Sequence, residues 1–423
     1  MQCLFPLALS RALPIGTSQL VLGRDNACDV VVPGREASRR HAEISVDAER
    51  LVCVIRDLKS LNGTFVNGRL VTRKELAAGD VVRIGDLVGI VTYGTAGQAQ
   101  VPGVTRVAEG FWAGSTLRSV LEPVRKLAPT TLPILIEGET GTGKERIARA
   151  VHEWSGRTGP FVGVNCAAIP EHLAEAELFG YRKGAFTGAD QGALGHIRAA
   201  HRGTLLLDEV ADLPPKVQAK LLRVLEERQV QEIGETKTIE VDVRIVAASR
   251  ASLLAQVQSG KFRPDLHARL NGFRVLLPPL SARKEEIPSL FVQLVEGHLG
   301  GSAPPIEAAL IERLMSYAWP GNVRELGLLA RRLLGLHAHE GKLRNAHLEG
   351  TELAQATTDS SSADEGLLSR DERDVKALVA GLRKFEGNLA QASLFAKVSR
   401  QRAYRLLSQQ TDLDLAALRR GKA

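Results

Sequence analysis

The stretch LPILIEGETGTGKERIARAVHEW, Leu132 to Trp154, decides the fold of the middle of this chain. Its PILI segment is a short unbroken apolar run, the kind buried on both faces of a parallel sheet. KERIARAVHEW spaces its apolar residues as a helix does. Between them GETGTGK, Gly138 to Lys144, fits G-x-x-x-x-G-K at the strand-to-helix turn where such a loop must sit. Glycines let the backbone curl so that several N–H groups point at one anion. The helix start adds its positive dipole end, and Lys144 supplies a mobile charge for phosphates. Gly138, Glu139, Thr140, Gly141, Thr142, Gly143 and Lys144 are therefore the candidate phosphate contacts. Glu145 follows, where a Ser or Thr that holds Mg²⁺ is usual.

Working outward, FVGVNC, GTLLLDE and DVRIVAAS are further apolar strands with helical stretches between them. That alternation predicts an α/β domain with a parallel sheet covered by helices on both faces. GTLLLDE leaves Asp208 and Glu209 at the exposed end of its strand. An acid pair there either is solvated or meets a cation and a proton in transit. Downstream of a Gly-rich loop, Asp208 suits Mg²⁺ and Glu209 suits polarising an attacking water.

The flanks differ in pattern. QLVLGR, CDVVV, HAEISV, LVCVIRDL, GTFVNG and VVRIGDLVGIVTY alternate or form short β-rich runs between turn residues, which predicts an all-β sandwich. GTAGQAQVPG, Gly94 to Gly103, and ATTDSSSADEG, Ala356 to Gly366, read as linkers, the first with an r.m.s. reach of ~15–20 Å. The expected plan is a sandwich over 1–94, a linker over 95–109, the α/β block with a helical lid over 110–347, a linker over 348–368, and an all-α block over 369–423.

Composition agrees with a multidomain, core-forming chain: 423 residues, 44% hydrophobic and 24% charged. No stretch approaches the ~20 apolar residues of a membrane span. The opening MQCLFPLALS has no positive n-region and reads as a first strand. Cys3, Cys28, Cys53 and Cys166 form no C-x-x-C pair, which argues against a disulfide framework or structural zinc and for a reducing, cytoplasmic setting. The net charge is +7, and residues 370–423 hold twelve Lys/Arg against six Asp/Glu. Such a tail is either a nucleic-acid surface or a solvated basic helix.

The middle block also carries GAFTGA, Gly184 to Ala189, within ELFGYRKGAFTGA. With the Gly-rich loop and the acid pair, it resembles the AAA+ domain of sigma-54-dependent transcriptional activators from about Gly110 to His347. The resemblance implies a hexameric ring that hydrolyses ATP with Mg²⁺ and touches sigma-54 through Gly184, Ala185, Phe186, Thr187, Gly188 and Ala189. It implies that Asn165, in FVGVNCAAI, pairs with the catalytic Glu209. It makes Arg263 and Arg269, in KFRPDLHARL, the arginine fingers given to a neighbouring subunit; read alone, they are surface arginines pairing with local acids. Arg324, in WPGNVREL, matches the lid arginine that reads the γ-phosphate. Three positions depart from the family: Ser249 and Arg250 where Thr-Asn or Thr-His is usual, and Arg198 where the family has glutamate.

The end of the chain, GNLAQASLFAKVSRQRAYRLLSQ, resembles a Fis-type helix-turn-helix, with Lys397 where the turn usually has Gly. The resemblance places Ser399 at a helix N-cap and Arg400, Gln401, Arg402 and Arg405 in a major groove; a basic oligomerisation module is the other reading. The start, with LGRDNACDVVV, ASRRHAEI and DLKSLNGTFVNG, resembles a forkhead-associated (FHA) domain, a phosphothreonine reader. Arg24, Ser38 and Arg39 match its phosphate contacts and Asn62 its peptide contact. His41 is expected to brace the loop and Asn67 to reach residues beyond the phosphate, with Leu61 where Thr is common. A sandwich that kept its fold and lost its ligand is the alternative.

Together these resemblances imply an activator that remodels sigma-54 RNA polymerase from an upstream DNA site. They imply control by a phosphothreonine protein from a Ser/Thr kinase pathway, a signalling scheme like a two-component system. The rival is a DNA-binding, phospho-responsive regulator whose ATPase is impaired by Ser249, Arg250 and Arg198.

Overall fold

The computed structural model describes residues 1–7, 11–13, 19–47, 52–92, 104–186 and 190–353, with positions 378, 391 and 393. Thr187, Gly188 and Ala189, and the tail residues Ser399, Arg400, Gln401, Arg402 and Arg405, lie outside them. The chain divides into two units, Met1–His347 and Leu348–Ala423.

The first unit opens with a sandwich. Its strands are β1 (Gln2–Phe5), β2 (Arg11–Ala12), β3 (Leu20–Gly23), β4 (Val30–Val31), β5 (Ala42–Asp47), β6 (Val52–Asp57), β7 (Thr64–Val66), β8 (Arg69–Val71), β9 (Arg73–Leu76), β10 (Val81–Ile84) and β11 (Leu87–Ile90). One sheet runs β2-β1-β11-β10-β7-β8 and the other β4-β3-β5-β6-β9. Alternate residues point inward, as strand geometry demands. Ala42, Ile44 and Ile55 of one sheet meet Cys3, Val66, Val82 and Ile84 of the other in one core. Gly23 ends β3 where a Cβ would overlap the carbonyl of Arg39, so the Arg24 and Arg39 loops can lie side by side.

The α/β domain begins with a hairpin of β12 (Thr105–Ala108) and β13 (Phe111–Ala113). Thr105–Ala108 falls in the expected linker 95–109, yet Ala108 joins the domain core beside Phe111. Then follow α1 (Ser115–Leu127), β14 (Ile134–Glu137), α2 (Lys144–Ser155), β15 (Phe161–Asn165), α3 (Glu171–Phe179), α4 (His196–Ala199), β16 (Thr204–Asp208), α5 (Pro215–Glu227), β17 (Gln229–Gln231), β18 (Thr238–Glu240), β19 (Arg244–Ser249), α6 (Leu253–Gln258), α7 (Pro264–Leu270) and β20 (Phe273–Leu276). The main sheet has the order β15-β16-β19-β14-β20, and every neighbouring pair is parallel.

Both faces of that sheet are covered. Ile134, Ile136, Leu206, Val246 and Ala248 pack on Leu117 and Leu121 of α1 and Ile147 and Val151 of α2. Leu135, Leu205, Leu207 and Ala247 face the other way, onto Leu178 of α3 and Val217 and Leu221 of α5. At roughly 25 cal/mol per Å², each fully buried aliphatic side chain contributes about 1.5–3 kcal/mol before entropy is counted. Three lid helices complete the unit: α8 (Ile287–Leu299), α9 (Ala308–Ser316) and α10 (Asn322–His337). No helix among the described residues is long and apolar enough to cross a membrane.

Candidate functional sites

Strand register builds the first site. Glu137 is the Cα partner of Ser249 and Asn165 that of Asp208, so four parallel strands end their side chains on one edge of the sheet. α2 starts at this edge. Its N-cap, Gly143, has no side chain to cap the first turn, which leaves those N–H groups for an anion. Gly141 and Gly143 take φ values of 78° and 107°, which curl the loop toward the same spot. This cradle and the lysine beside it fit a phosphate chain.

Lys144 is buried. Its Nζ donates to the Gly138 carbonyl at 2.9 Å and lies 3.5 Å from Glu209 Oε1. Burial raises the Asp208 carboxyl above the ordinary range, against the pull of Lys144. Glu209 has a φ of 52°, uncommon for a non-glycine residue and frequent at functional positions. Its Oε2 accepts the backbone N–H of Arg250 at 3.0 Å. A backbone group makes this contact, so the unusual side chain at 250 does not break it. Ser249 turns its hydroxyl to the Ala251 carbonyl at 2.8 Å. Lys144, Asn165, Asp208, Glu209 and Arg324 line one cleft of about 650 Å³ with the 140–146 loop. Glu145, also on the cleft lining, pairs with Arg149 at 2.7 Å.

One expected contact takes another form. Asn165 does not pair with Glu209; its Oδ1 accepts from Ala167 N at 3.1 Å and caps the turn Cys166–Ala168. The Glu209 oxygens are engaged by Lys144 and Arg250 instead. Cys166, the next residue, is buried, and burial pushes its thiol up to about 12. Arg263 and Arg269 are exposed and stand outside the cleft. Arg263 forms a two-bond pair with Asp265, through Nε at 3.0 Å and Nη2 at 2.6 Å.

The lid touches the phosphate loop directly. Asn322 is fully buried; its Oδ1 accepts from Leu280 N at 2.7 Å, and its Nδ2 donates to Glu139 Oε2 at 3.0 Å and Thr140 O at 3.1 Å. Val323 N donates to Gly141 O at 3.0 Å. A Cβ on Gly141 would overlap the Gly321 carbonyl, so glycine is needed for this approach. Arg324, one position on, lines the cleft from the first turn of α10. Arg283, which the sequence did not single out, donates to Thr142 O at 2.6 Å and Glu286 Oε2 at 2.9 Å. Its Nε is buried without a hydrogen-bond partner among the described residues. Glu286 also accepts Gly114 N at 2.8 Å, and burial pushes its carboxyl up to about 7.

The stem of the GAFTGA segment is tied to a neighbouring hairpin. Arg182 N donates to Ile233 O at 3.2 Å, Ile233 N to Gly180 O at 2.9 Å, and Arg182 Nη1 pairs with Glu235 at 2.8 Å. Arg198, the residue standing where the family has glutamate, pairs with Glu232 of the same hairpin. The Phe186 ring packs 4.9 Å from that of Tyr181 and remains 43% exposed.

On the sandwich, Arg24, Arg39 and Asn62 are exposed, and Ser38 Oγ accepts from Leu61 N at 3.0 Å. His41 is buried. Its Nδ1 accepts from Ser38 N at 3.1 Å and its Nε2 donates to Gly63 O at 3.0 Å, so it braces both loops. Burial is the main cause that lowers its pKa, which suits this neutral tautomer. Asn62 donates to the backbone and carboxylate of Glu36, both at 2.9 Å. Asn67 braces its own turn: its amide donates to Asp80 at 2.7 Å and accepts Val81 N at 2.8 Å.

Comparison with known proteins is consistent with this geometry. Residues 112–276 match a sigma-54 interaction domain, 281–365 an AAA+ ATPase lid domain, and 20–85 an FHA domain. The sigma-54-dependent transcriptional regulator UacR of Escherichia coli (strain K12) is 43% identical over 254 residues, 59% of this chain and 43% of that protein. The phenol regulator MopR of Acinetobacter guillouiae is 40% identical over 67% of this chain and 53% of its own length. The chain thus spans about half the length of these two relatives. It covers more of the transcriptional regulatory protein ZraR of Klebsiella oxytoca, at 39% identity over 67% of each. The crystal structure of NtrX from Brucella abortus in complex with ADP superimposes with a TM-score of 0.54 at 35% identity, over 70% of this chain and 69% of that one. By this coverage and identity the chain belongs to the sigma-54-dependent transcriptional regulators, and it carries an FHA domain ahead of its AAA+ ATPase domain and lid.

Proposed function

We propose that the protein is a cytoplasmic activator that hydrolyses ATP as a hexamer to remodel the sigma-54 RNA polymerase closed complex. Phosphothreonine binding to the FHA domain controls it, and its basic tail anchors it to an upstream DNA site. The observation that carries this reading is the convergence of Lys144, Asp208 and Glu209 in one cleft against a docked lid. In this reading the 138–145 loop and Lys144 hold the phosphates, and Arg324 senses the γ-phosphate. Asp208 would hold Mg²⁺, which when bound neutralises phosphate charge. Glu209 takes the proton of the attacking water.

Arg263 and Arg269 lie exposed outside their own cleft, as residues that serve a neighbouring subunit must. Their gain could be roughly 10³–10⁵ in rate. NtrX was crystallised with ATP and with ADP, which supports a nucleotide in the matching cleft here. Coupling has a short covalent route. Asn165 caps a turn that leads into α3, and α3 ends at Phe179, beside the Gly180–Tyr181 stem of the sigma-54 loop. Arg24, Ser38, Arg39 and Asn62 bind the phosphothreonine, Glu36 giving up Asn62 on binding. Arg400, Gln401, Arg402 and Arg405 bind DNA, with Ser399 capping their helix.

The decisive experiment measures ATP turnover against protein concentration, with and without a phosphothreonine peptide. A steep concentration dependence is expected for shared active sites. Thr187→Ala is expected to retain turnover and lose transcription; full activation by that variant would remove the sigma-54 assignment.

A further inference from the structure

The sandwich and the lid meet along α9, which packs against β10 and β11. The contact has a charged centre. Glu312 of α9 is only 3% exposed, and both carboxylate oxygens are engaged by the sandwich. Oε1 accepts the backbone N–H of Gly68 at 2.8 Å, and Oε2 accepts Arg83 Nε at 2.6 Å. The Arg83 guanidinium also lies over the Phe65 ring, 3.9 Å from its centroid. Charge-assisted bonds of buried groups are directional, and losing one partner strands the other.

The placement of this contact is informative. Gly68 belongs to the β7–β8 turn, which Asn67 locks through Asp80 and Val81. β7 is three residues long, so about 10 Å of strand separates that turn from the loop carrying Asn62. The reading loops lie at one end of β7 and the lid contact at the other, which leaves Arg24, Arg39 and Asn62 exposed. On the lid side, α9 ends at Ser316, just before the Trp319–Asn322 turn that holds the phosphate loop. The Trp319 indole N–H donates to Leu314 O of α9 at 2.7 Å, tying turn and helix together.

We infer that Glu312, Arg83 and Gly68 form a bolt between the FHA sandwich and the lid, and that phosphothreonine binding reaches the nucleotide cleft through it. The inference rests on the phosphothreonine reading of the sandwich for its second half only. Coupling between two binding sites is reciprocal: nucleotide changes peptide affinity by the factor by which peptide changes nucleotide affinity. If both effects pass through Glu312, a substitution there removes both.

The test uses the full chain with Glu312→Ala, and with Arg83→Met in case the lid variant misfolds. One arm follows hydrogen exchange at the Gly68 amide without ligand. The bolt predicts at least roughly tenfold faster exchange in Glu312→Ala; equal rates in wild type and variant overturn it. The other arm measures ATPγS affinity with and without a degenerate phosphothreonine peptide library. The wild type should shift by roughly fivefold or more, and either variant should bind peptide and ATPγS singly with that shift abolished. A shift that persists in both variants, or a wild type that binds peptide without any shift, overturns the communication. A wild type that binds no phosphothreonine peptide refutes the reading of the sandwich instead, and the exchange arm still decides the bolt.

Discussion

Asn322→Ala is the sharpest probe of the nucleotide cleft. The side chain makes three hydrogen bonds, one to Leu280 N and two to the phosphate loop at Glu139 and Thr140. At about 0.5–1.5 kcal/mol each, their loss costs roughly 2–4 kcal/mol, and Leu280 N is left buried and unpaired. The backbone adds to this. Asn322 has a φ of 54°, which asparagine tolerates and alanine resists by about 1–2 kcal/mol. Asn322→Gly loses the same bonds without that strain, so the two variants separate the terms. A loss near 3 kcal/mol corresponds to about two decades in a binding constant. Affinity for a fluorescent ATP analogue should fall by that order in Asn322→Ala, and Asn322→Gly should recover up to about tenfold. The urea midpoint should drop in the same order. Affinity within twofold of wild type in both variants would refute the idea that lid docking onto the phosphate loop underlies nucleotide binding.

Three other outcomes are expected. Arg198→Glu or Glu232→Arg alone should lower promoter activation while ATP turnover persists, and the double exchange should restore it in a transcription assay; failure of the exchange would show that the pair does not position the loop stem. Glu286 has its folded pKa raised to about 7 by burial, so its contribution to stability is complete below the ordinary carboxylate range and is lost as pH rises through about 7. Melting temperature should therefore decline across that window in the wild type and decline less in Glu286→Gln. Gly23→Ala should push the Arg39 loop outward, cost about 1–3 kcal/mol and weaken phosphothreonine peptide binding measured by fluorescence anisotropy.

Much of this was legible in the residues. The ILIE run and the glycines after it fixed a strand, a loop and a helix start, because sheet burial and phosphate wrapping each demand local chemistry. The facing of Glu137 with Ser249 was not legible, since it depends on a strand order that inserts β19 between β16 and β14. Arg283 and Asn322 escaped notice for a similar reason. Their partners, Thr142 and Glu139, are more than a hundred residues away, and nothing local marks a side chain that holds another loop's carbonyl. The role of Asn67 in its turn was legible, because Asn-Gly between two apolar runs is a strong hairpin signal, and its amide ties that turn to Asp80 and Val81. Arg250 leaves the contact to Glu209 intact because a backbone atom makes it, which sequence does not distinguish from a side-chain contact.

Cys166 sits one residue from Asn165, at the edge of the cleft that holds Lys144, Asp208 and Glu209. At a pKa of about 12, its thiolate fraction near neutrality is on the order of 10⁻⁵, too small for attack by peroxide or alkylating reagents. Cys3, Cys28 and Cys53 are equally secluded. The ATPase cycle should accordingly run undisturbed under oxidative stress, and a single cysteine introduced at the surface would carry a fluorophore with no competing background.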